Sequence, residues 1–348
     1  MTFVLGVDIG GTKIAVGLVE FTGAAGADSA GADLAGIDLA GGARVVARAS
    51  SPTPAALGSA AIVAEVVRVA SGLLAEARRA GHPVAGCGVG SAGVIDRATG
   101  TVVSATSSLT GWAGTPLAAV LEDRLELPVT VLNDVHAHAL GEALAGAGRG
   151  CPSMMMIAAG TGIGGAFVTD GLVWAGATGL SGHFGHLPAA EAAGLPCTCG
   201  REGHLEVIAS GPAIAERYRA AGGDPVVTDA RGVFARASGA ADPIAERTIE
   251  TAGYALGRAI GGLVNSLDPH AVVVGGGLSD AGEFWWSAVR RGAAAELMPS
   301  VAGCPLVPAQ LGADAALIGA AAAFVRRARS PAGDHPAAAL GHRVVTSS

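Results

Sequence analysis

Phe3-Val4-Leu5-Gly6-Val7-Asp8-Ile9-Gly10-Gly11-Thr12-Lys13-Ile14-Ala15-Val16-Gly17-Leu18-Val19 is an apolar run, a glycine pair and a second apolar run. The runs read as a buried strand over 3–7 and its hairpin partner over 14–19, with the glycines at the turn. Gly10 and Gly11 lack Cβ atoms, so a phosphate can approach the backbone, and successive N–H groups there can form an anion-binding nest with Thr12 and Lys13. Asp8 precedes the nest, where a carboxylate can hold Mg²⁺ against transferring phosphates. An ordinary hairpin turn would use the same two glycines.

The pattern recurs in the second half of the chain. Residues 153–159 and 164–168 flank Gly160-Thr161-Gly162-Ile163-Gly164-Gly165, and Asp170-Gly171 reads as the next hairpin turn. A third glycine turn, Gly275-Gly276-Gly277, follows a buried strand at 271–274 and would let a nucleoside lie flat against the backbone. None of the three has the spacing of a Walker-type phosphate loop or a dinucleotide fingerprint. Between them, the spacing of Ile62, Val66, Val69 and Leu73 predicts a helix over 56–80, and 84–90 and 128–132 read as strands. Helices are expected from Asp134 to about residue 147, over 243–267 and over 314–327. The duplication predicts an N-terminal lobe at 1–120 and a C-terminal lobe at 121–311, with a closing helix at 312–328 that packs back on the first lobe. Residues 21–43 and 329–348 read as a flexible loop and tail.

The 348 residues exceed the usual ~100–200 per domain, which agrees with two cores and a ligand cleft between them. Half the residues are hydrophobic but only 4% are aromatic, and 55 are glycine, so closely packed backbones are expected instead of bulky cores. The 22 Lys and Arg against 29 Asp and Glu give a net charge of −7, which argues against a nucleic-acid surface. No run approaches the ~20 apolar residues that span a bilayer, and the N-terminus lacks the basic start of a signal peptide, so a cytoplasmic protein without a membrane partner is expected. Five scattered cysteines form no secreted disulfide framework.

Two further groups of residues carry chemistry. Asn133-Asp134 lies where a strand meets a helix; Asp134, ionised at neutral pH, can orient a hydroxyl and accept its proton, although Asn and Asp also cap helices there. His183, His186, Cys197, Cys199, His204 and Glu206 crowd one glycine-rich stretch. His186, Cys197, Cys199 and His204 supply two imidazoles and two thiolates, a closed tetrahedral set for structural Zn²⁺. A buried or redox-active thiol pair beside surface histidines is the other reading.

Together these motifs resemble the ROK family, named for repressors, open reading frames and kinases, over about residues 4–324. The resemblance implies an α/β, actin-like (ribonuclease H-like) two-lobed ATPase fold, with duplicated βββαβα-type domains around a cleft. It implies an ATP-dependent sugar kinase that needs Mg²⁺. Residues 8–13 match the first phosphate loop, 160–165 the second and 275–277 the adenosine-side turn. Asn133 matches a sugar-binding residue and Asp134 the catalytic base. The stretch Gly182-His183-Phe184-Gly185-His186 and the segment 197–206 match the sugar and zinc signature, with His183, His186 and Glu206 on the sugar.

Two departures stand out. His204 replaces the family's usual third cysteine, and imidazole also binds zinc. His183 replaces the glutamate of most family kinases, exchanging an obligate acceptor for a group that can donate or accept. The stretch Gly182-His183-Phe184-Gly185-His186 together with Glu206-Val207-Ile208-Ala209-Ser210-Gly211 resembles bacterial N-acetylmannosamine kinases more than glucokinases, so an N-acylhexosamine is the expected acceptor, with glucose or mannose as runner-up. Family repressors carry a helix-turn-helix region before the first loop; only seven residues precede Asp8, so DNA binding is not expected. The resemblance implies a homodimer.

Overall fold

The computed structural model describes residues 1–22, 39, 42–106, 109–239 and 242–329. Most of the loop expected at 21–43, and residues 330–348 of the expected tail, lie outside the described residues. In chain order the elements are β1 (Thr2–Ile9), β2 (Lys13–Phe21), β3 (Ala43–Pro52), α1 (Ser59–Arg79), β4 (Val84–Ser91), β5 (Val94–Asp96), β6 (Thr101–Ser104), α2 (Leu117–Leu125), β7 (Val129–Asn133) and α3 (Asp134–Ala145). They continue with β8 (Ser153–Ala159), β9 (Ile163–Thr169), β10 (Leu172–Val173), α4 (Glu206–Ala209), α5 (Gly211–Ala220), α6 (Ala230–Gly239), α7 (Pro243–Leu267), β11 (Ala271–Gly275), α8 (Glu283–Glu296), β12 (Leu306–Pro308) and α9 (Asp314–Arg329). Among the described residues no helix is long and apolar enough to cross a membrane.

The chain divides into two compact units. Unit 1 comprises Met1–Ala145, Ala175–Leu180 and Ala313–Ser348; unit 2 comprises Gly146–Trp174 and Ser181–Gly312. The boundary expected at 120/121 falls inside unit 1. Residues 121–145 stay with the N-terminal part because β7 pairs with β4, Ser91 opposite Asn133, and so extends the first sheet. Asn133 and Asp134 therefore belong to unit 1. The closing helix α9 also belongs to unit 1.

In unit 1 the sheet order is β3-β2-β1-β4-β7. The β1–β2 hairpin is antiparallel and in register from Thr2 opposite Phe21 to Ile9 opposite Ile14, while β4 lies parallel to β1 on its other side. Alternation along β1 sends Leu5, Val7 and Ile9 into the core with Ile62, Val66, Val69 and Leu73 of α1. Burying those four α1 side chains contributes roughly 6–12 kcal/mol at ~1.5–3 kcal/mol each, an upper estimate because the unfolded chain already hides part of that surface.

The opposite face of this sheet is built for close backbone approach. A Cβ on Gly6 would lie 2.1 Å from the Leu317 carbonyl oxygen of α9, and one on Gly88 would lie 1.8 Å from that of Ala320. Glycine lets α9 sit directly on β1 and β4. The glycine-rich composition thus has a packing role here.

In unit 2 the order is β10-β9-β8-β11-β12, the same antiparallel hairpin beside parallel strands. Asp170 and Gly171 both take positive φ, 50° and 68°, the twist a two-residue β9–β10 turn requires. The core joins Met155, Ile157, Val272 and Val274 to Leu256, Ile260 and Val264 of α7 and Trp285 of α8. The repeated strand order is the duplication of the actin-like fold.

Candidate active site

The site residues fall into two groups, one in each unit. In unit 1 the first glycine turn is tied down before any ligand is considered. Gly10 N–H donates to the Lys13 carbonyl at 3.0 Å, and Thr53 holds the turn from outside, its hydroxyl donating to Gly10 O at 2.7 Å and its N–H to Thr12 O at 3.0 Å. Asp8 lies within β1, opposite Gly90 of β4. Helix α3 rests on that same glycine: a Cβ on Gly90 would lie 3.6 Å from the Asp134 Cα. Asp8 and Asp134 thus share the C-terminal edge of one sheet.

At the start of α3 the two candidate caps separate. Asn133 Oδ1 accepts from the N–H groups of Val135 at 2.9 Å and His136 at 3.1 Å, while its amide donates to Gly93 O at 3.0 Å. Asn133 is the N-cap. Asp134 sits in the first turn, with Oδ1 2.9 Å from Val135 N.

Burial shifts both carboxyls upward. For Asp8, burial raises the pKa from the ordinary 3.8 to about 6, with His138 opposing the rise and Asp134 adding to it. For Asp134, burial again dominates and is opposed by the Val135 N–H and by His138. Sequence reasoning assigned Asp134 an ordinary carboxylate pKa; desolvation makes it a stronger base. His138 and Thr53 were not anticipated. His138 follows Asp134 by one helical turn, a spacing visible in the sequence, whereas the contact from Thr53 depends on how the chain returns after β3.

In unit 2 the second and third glycine turns meet. Leu278 N–H donates to Ala159 O at 3.0 Å, and Gly276, at φ +85°, passes so close that a Cβ would lie 2.4 Å from that oxygen. The 182–186 segment presses on the same hairpin: a Cβ on Gly182 would be 1.9 Å from Gly165 O, and one on Gly185 2.4 Å from Ile163 O. Glu206, first residue of α4, accepts from Ile163 N–H at 2.9 Å through Oε2. His183 is exposed and its ring stacks with that of His186 at 6.3 Å.

His186, Cys197, Cys199 and His204 converge, each offering one ligand atom and all four lying within 4.8 Å of one another. The Nδ1 atoms of His186 and His204 are 3.3 Å apart, and the Cys197 and Cys199 sulfurs are 3.7 and 3.3 Å from the Nδ1 atoms of His186 and His204. Tetrahedral bonds of ~2.0–2.1 Å to nitrogen and ~2.3 Å to sulfur require separations of about 3.3 Å between nitrogens and about 3.6 Å between nitrogen and sulfur. The donor set fits zinc. Backbone bonds fold the loop around it, with Cys197 N–H on Arg201 O at 2.7 Å and Leu205 N–H on Leu187 O at 2.9 Å.

The model of the ROK family matches residues 4–327. A glucokinase of Halalkalibacterium halodurans is 33% identical over 90% of this chain and 92% of its own length. An N-acetylmannosamine kinase of Escherichia coli is 34% identical over 91% of this chain and 96% of its own. Among solved structures, a ROK glucokinase from Streptomyces griseus in complex with glucose and AMPPNP superposes with a TM-score of 0.73 at 29% identity, covering 93% of this chain and 99% of that one. The family match across nearly the whole sequence, on a fold with the same duplicated architecture, shows that this chain belongs to the ROK family and is a sugar kinase.

Proposed function

We propose that the chain transfers the γ-phosphoryl group of ATP to the 6-hydroxyl of a hexose-type sugar, with an N-acylmannosamine as the preferred acceptor. The observation that carries this reading is the division of labour at the start of α3. Asn133 satisfies the helix terminus, so the Asp134 carboxyl, raised by burial, can serve as the base.

Asp134 orients the 6-hydroxyl and takes its proton as that oxygen bonds to the γ-phosphorus and the bond to the β,γ-bridging oxygen breaks, releasing ADP. Backbone N–H groups of residues 11–13 and 161–162 receive phosphate oxygens, and residues 275–277 receive the nucleoside. Asp8, a desolvated carboxylate beside a second one, suits Mg²⁺, which supplies charge neutralisation on the phosphates. Zn²⁺ held by His186, Cys197, Cys199 and His204 supplies a fixed loop that presents His183 and Glu206 to the sugar. ATP as donor agrees with the AMPPNP complex of the Streptomyces griseus glucokinase.

His183 favours the acylated acceptor, since an imidazole can donate to an acyl carbonyl where a carboxylate cannot. Glucose is the second reading, favoured by the glucokinase relative at comparable identity. A coupled ADP-release assay with Mg·ATP and N-acetylmannosamine, N-acetylglucosamine, glucose and mannose separates them through kcat/KM. Preference for N-acetylmannosamine supports the proposal; preference for glucose transfers it to the second reading, and ADP release with none of the four removes both.

A further inference from the structure

Glu206 stands at a junction that a sugar contact alone does not explain. Its Oε2 accepts from Ile163 N–H at 2.9 Å, inside the second glycine turn. Beyond α4, at the first residue of α5, Gly211 N–H donates to Gly160 O at 2.8 Å. The segment 206–211 is therefore tied at both ends to residues 160–163. Gly162 and Gly185 make room for the tie: a Cβ on Gly162 would lie 2.7 Å from Glu206 Oε2, and one on Gly185 3.1 Å from it. Within the turn Gly160 N–H donates to Gly162 O at 3.0 Å, next to the β8–β9 pair of Ala159 and Ile163, and the contacts from Glu206 and Gly211 hold it from outside.

We propose that Glu206 is a positioning residue for the nucleotide as well as a sugar contact: its carboxylate sets the backbone of residues 160–163 in the phosphate-receiving conformation and thereby couples acceptor binding to donor binding. A carboxylate has two oxygens that can be divided between tasks, Oε2 on Ile163 N–H and Oε1 toward a sugar hydroxyl. Ordering by one substrate then reduces what the other must order, which gives positive cooperativity between sugar and ATP. This inference rests on reading 160–165 as a phosphate turn.

The test is calorimetric titration of Mg·AMPPNP into the full-length protein, with and without saturating sugar, together with amide exchange at Ile163. Glu206→Gln keeps an acceptor for Ile163 N–H; its nucleotide affinity is expected within about threefold of the parent, while sugar affinity falls. Glu206→Ala loses the acceptor; nucleotide affinity is expected to fall about tenfold, Ile163 exchange to accelerate, and the gain in nucleotide affinity on adding sugar to disappear. Glu206→Asp, one methylene too short for the contact, should behave like the alanine variant and replaces it if that variant does not fold. Sugar affinity lost in Glu206→Ala with nucleotide affinity and Ile163 exchange both unchanged would overturn the proposal. Gly160→Val separates this from the underlying reading: unchanged nucleotide affinity in that variant shows that the turn seats no phosphate, whereas weakened affinity there beside an indifferent Glu206→Ala defeats the coupling alone.

Discussion

At the scale of single residues, Asp134 and Asp8 make opposite demands on the fold and on the reaction. Asp134→Asn preserves shape and the acceptor for Val135 N–H, so folding and sugar KM should stay within a few-fold, while kcat falls at least ~10²-fold, as when an interaction made in the transition state is removed. Steady-state kinetics with a saturating sugar checks this, and near-normal kcat would take the base role from Asp134. Asp8, held at about 6, favours folding in its protonated form. That contribution is full below 3.8 and is lost as pH rises through about 6, where the folded state must ionise a desolvated carboxyl. Asp8→Asn should therefore stabilise the protein by about 1–3 kcal/mol at pH 7.5 and leave it nearly unchanged at pH 4, as read from urea melts. Activity runs the other way: kcat/KM should rise with pH along an acid limb to which Asp8, held at about 6, contributes, and Mg²⁺ should move that limb lower.

At the scale of elements, glycines decide where backbones touch, and their neighbours predict opposite signs for the same substitution. Gly88→Ala drives a methyl to 1.8 Å from the Ala320 carbonyl oxygen, a backbone atom that cannot swing away, and should destabilise by about 3 kcal/mol or more. Gly262→Ala, exposed inside α7 toward its C-terminal end with nothing within 4 Å, should stabilise by about 0.5–1 kcal/mol. Equilibrium urea unfolding of both variants distinguishes a packing role for glycine from a compositional habit. The same physics governs what the sequence made legible. The hairpins β1–β2 and β8–β9 and the helix α7 were readable because their signals are local: apolar runs broken by glycine, and a long stripe opened by Asp242 and Pro243. β3 was not readable. It is an edge strand that exposes Arg44, Val46, Arg48 and Ser50 and half-buries Val45, Ala47 and Ala49, so alternation in burial is not matched by alternation in hydrophobicity. The hold of Thr53 on the first turn, the ties between α4 and the second, and the membership of β7 in the first sheet are contacts between distant segments with no periodic trace.

At the scale of the whole molecule, duplication gives each unit its own five-stranded sheet and its own buried cluster, and the chemistry is divided between them. Asp8 and Asp134 belong to unit 1, while the four metal-ligand candidates belong entirely to unit 2. Two cores of this size should unfold in separable steps, and a ligand stabilises only the step in which its site is lost. Calorimetry of the metal-loaded protein should show two transitions, of which a strong chelator lowers one. A shift of about 1 kcal/mol moves Tm by roughly 2–4 °C in units of this size, so loss of several kcal/mol of metal binding should lower that transition by about 10 °C. Asp8→Asn should move the other transition upward at pH 7.5 and leave the chelator-sensitive one in place. A single transition that responds to both perturbations would mean that the two cores unfold as one, and metal loss would then destabilise the carboxylate edge as much as the loop that binds the ion.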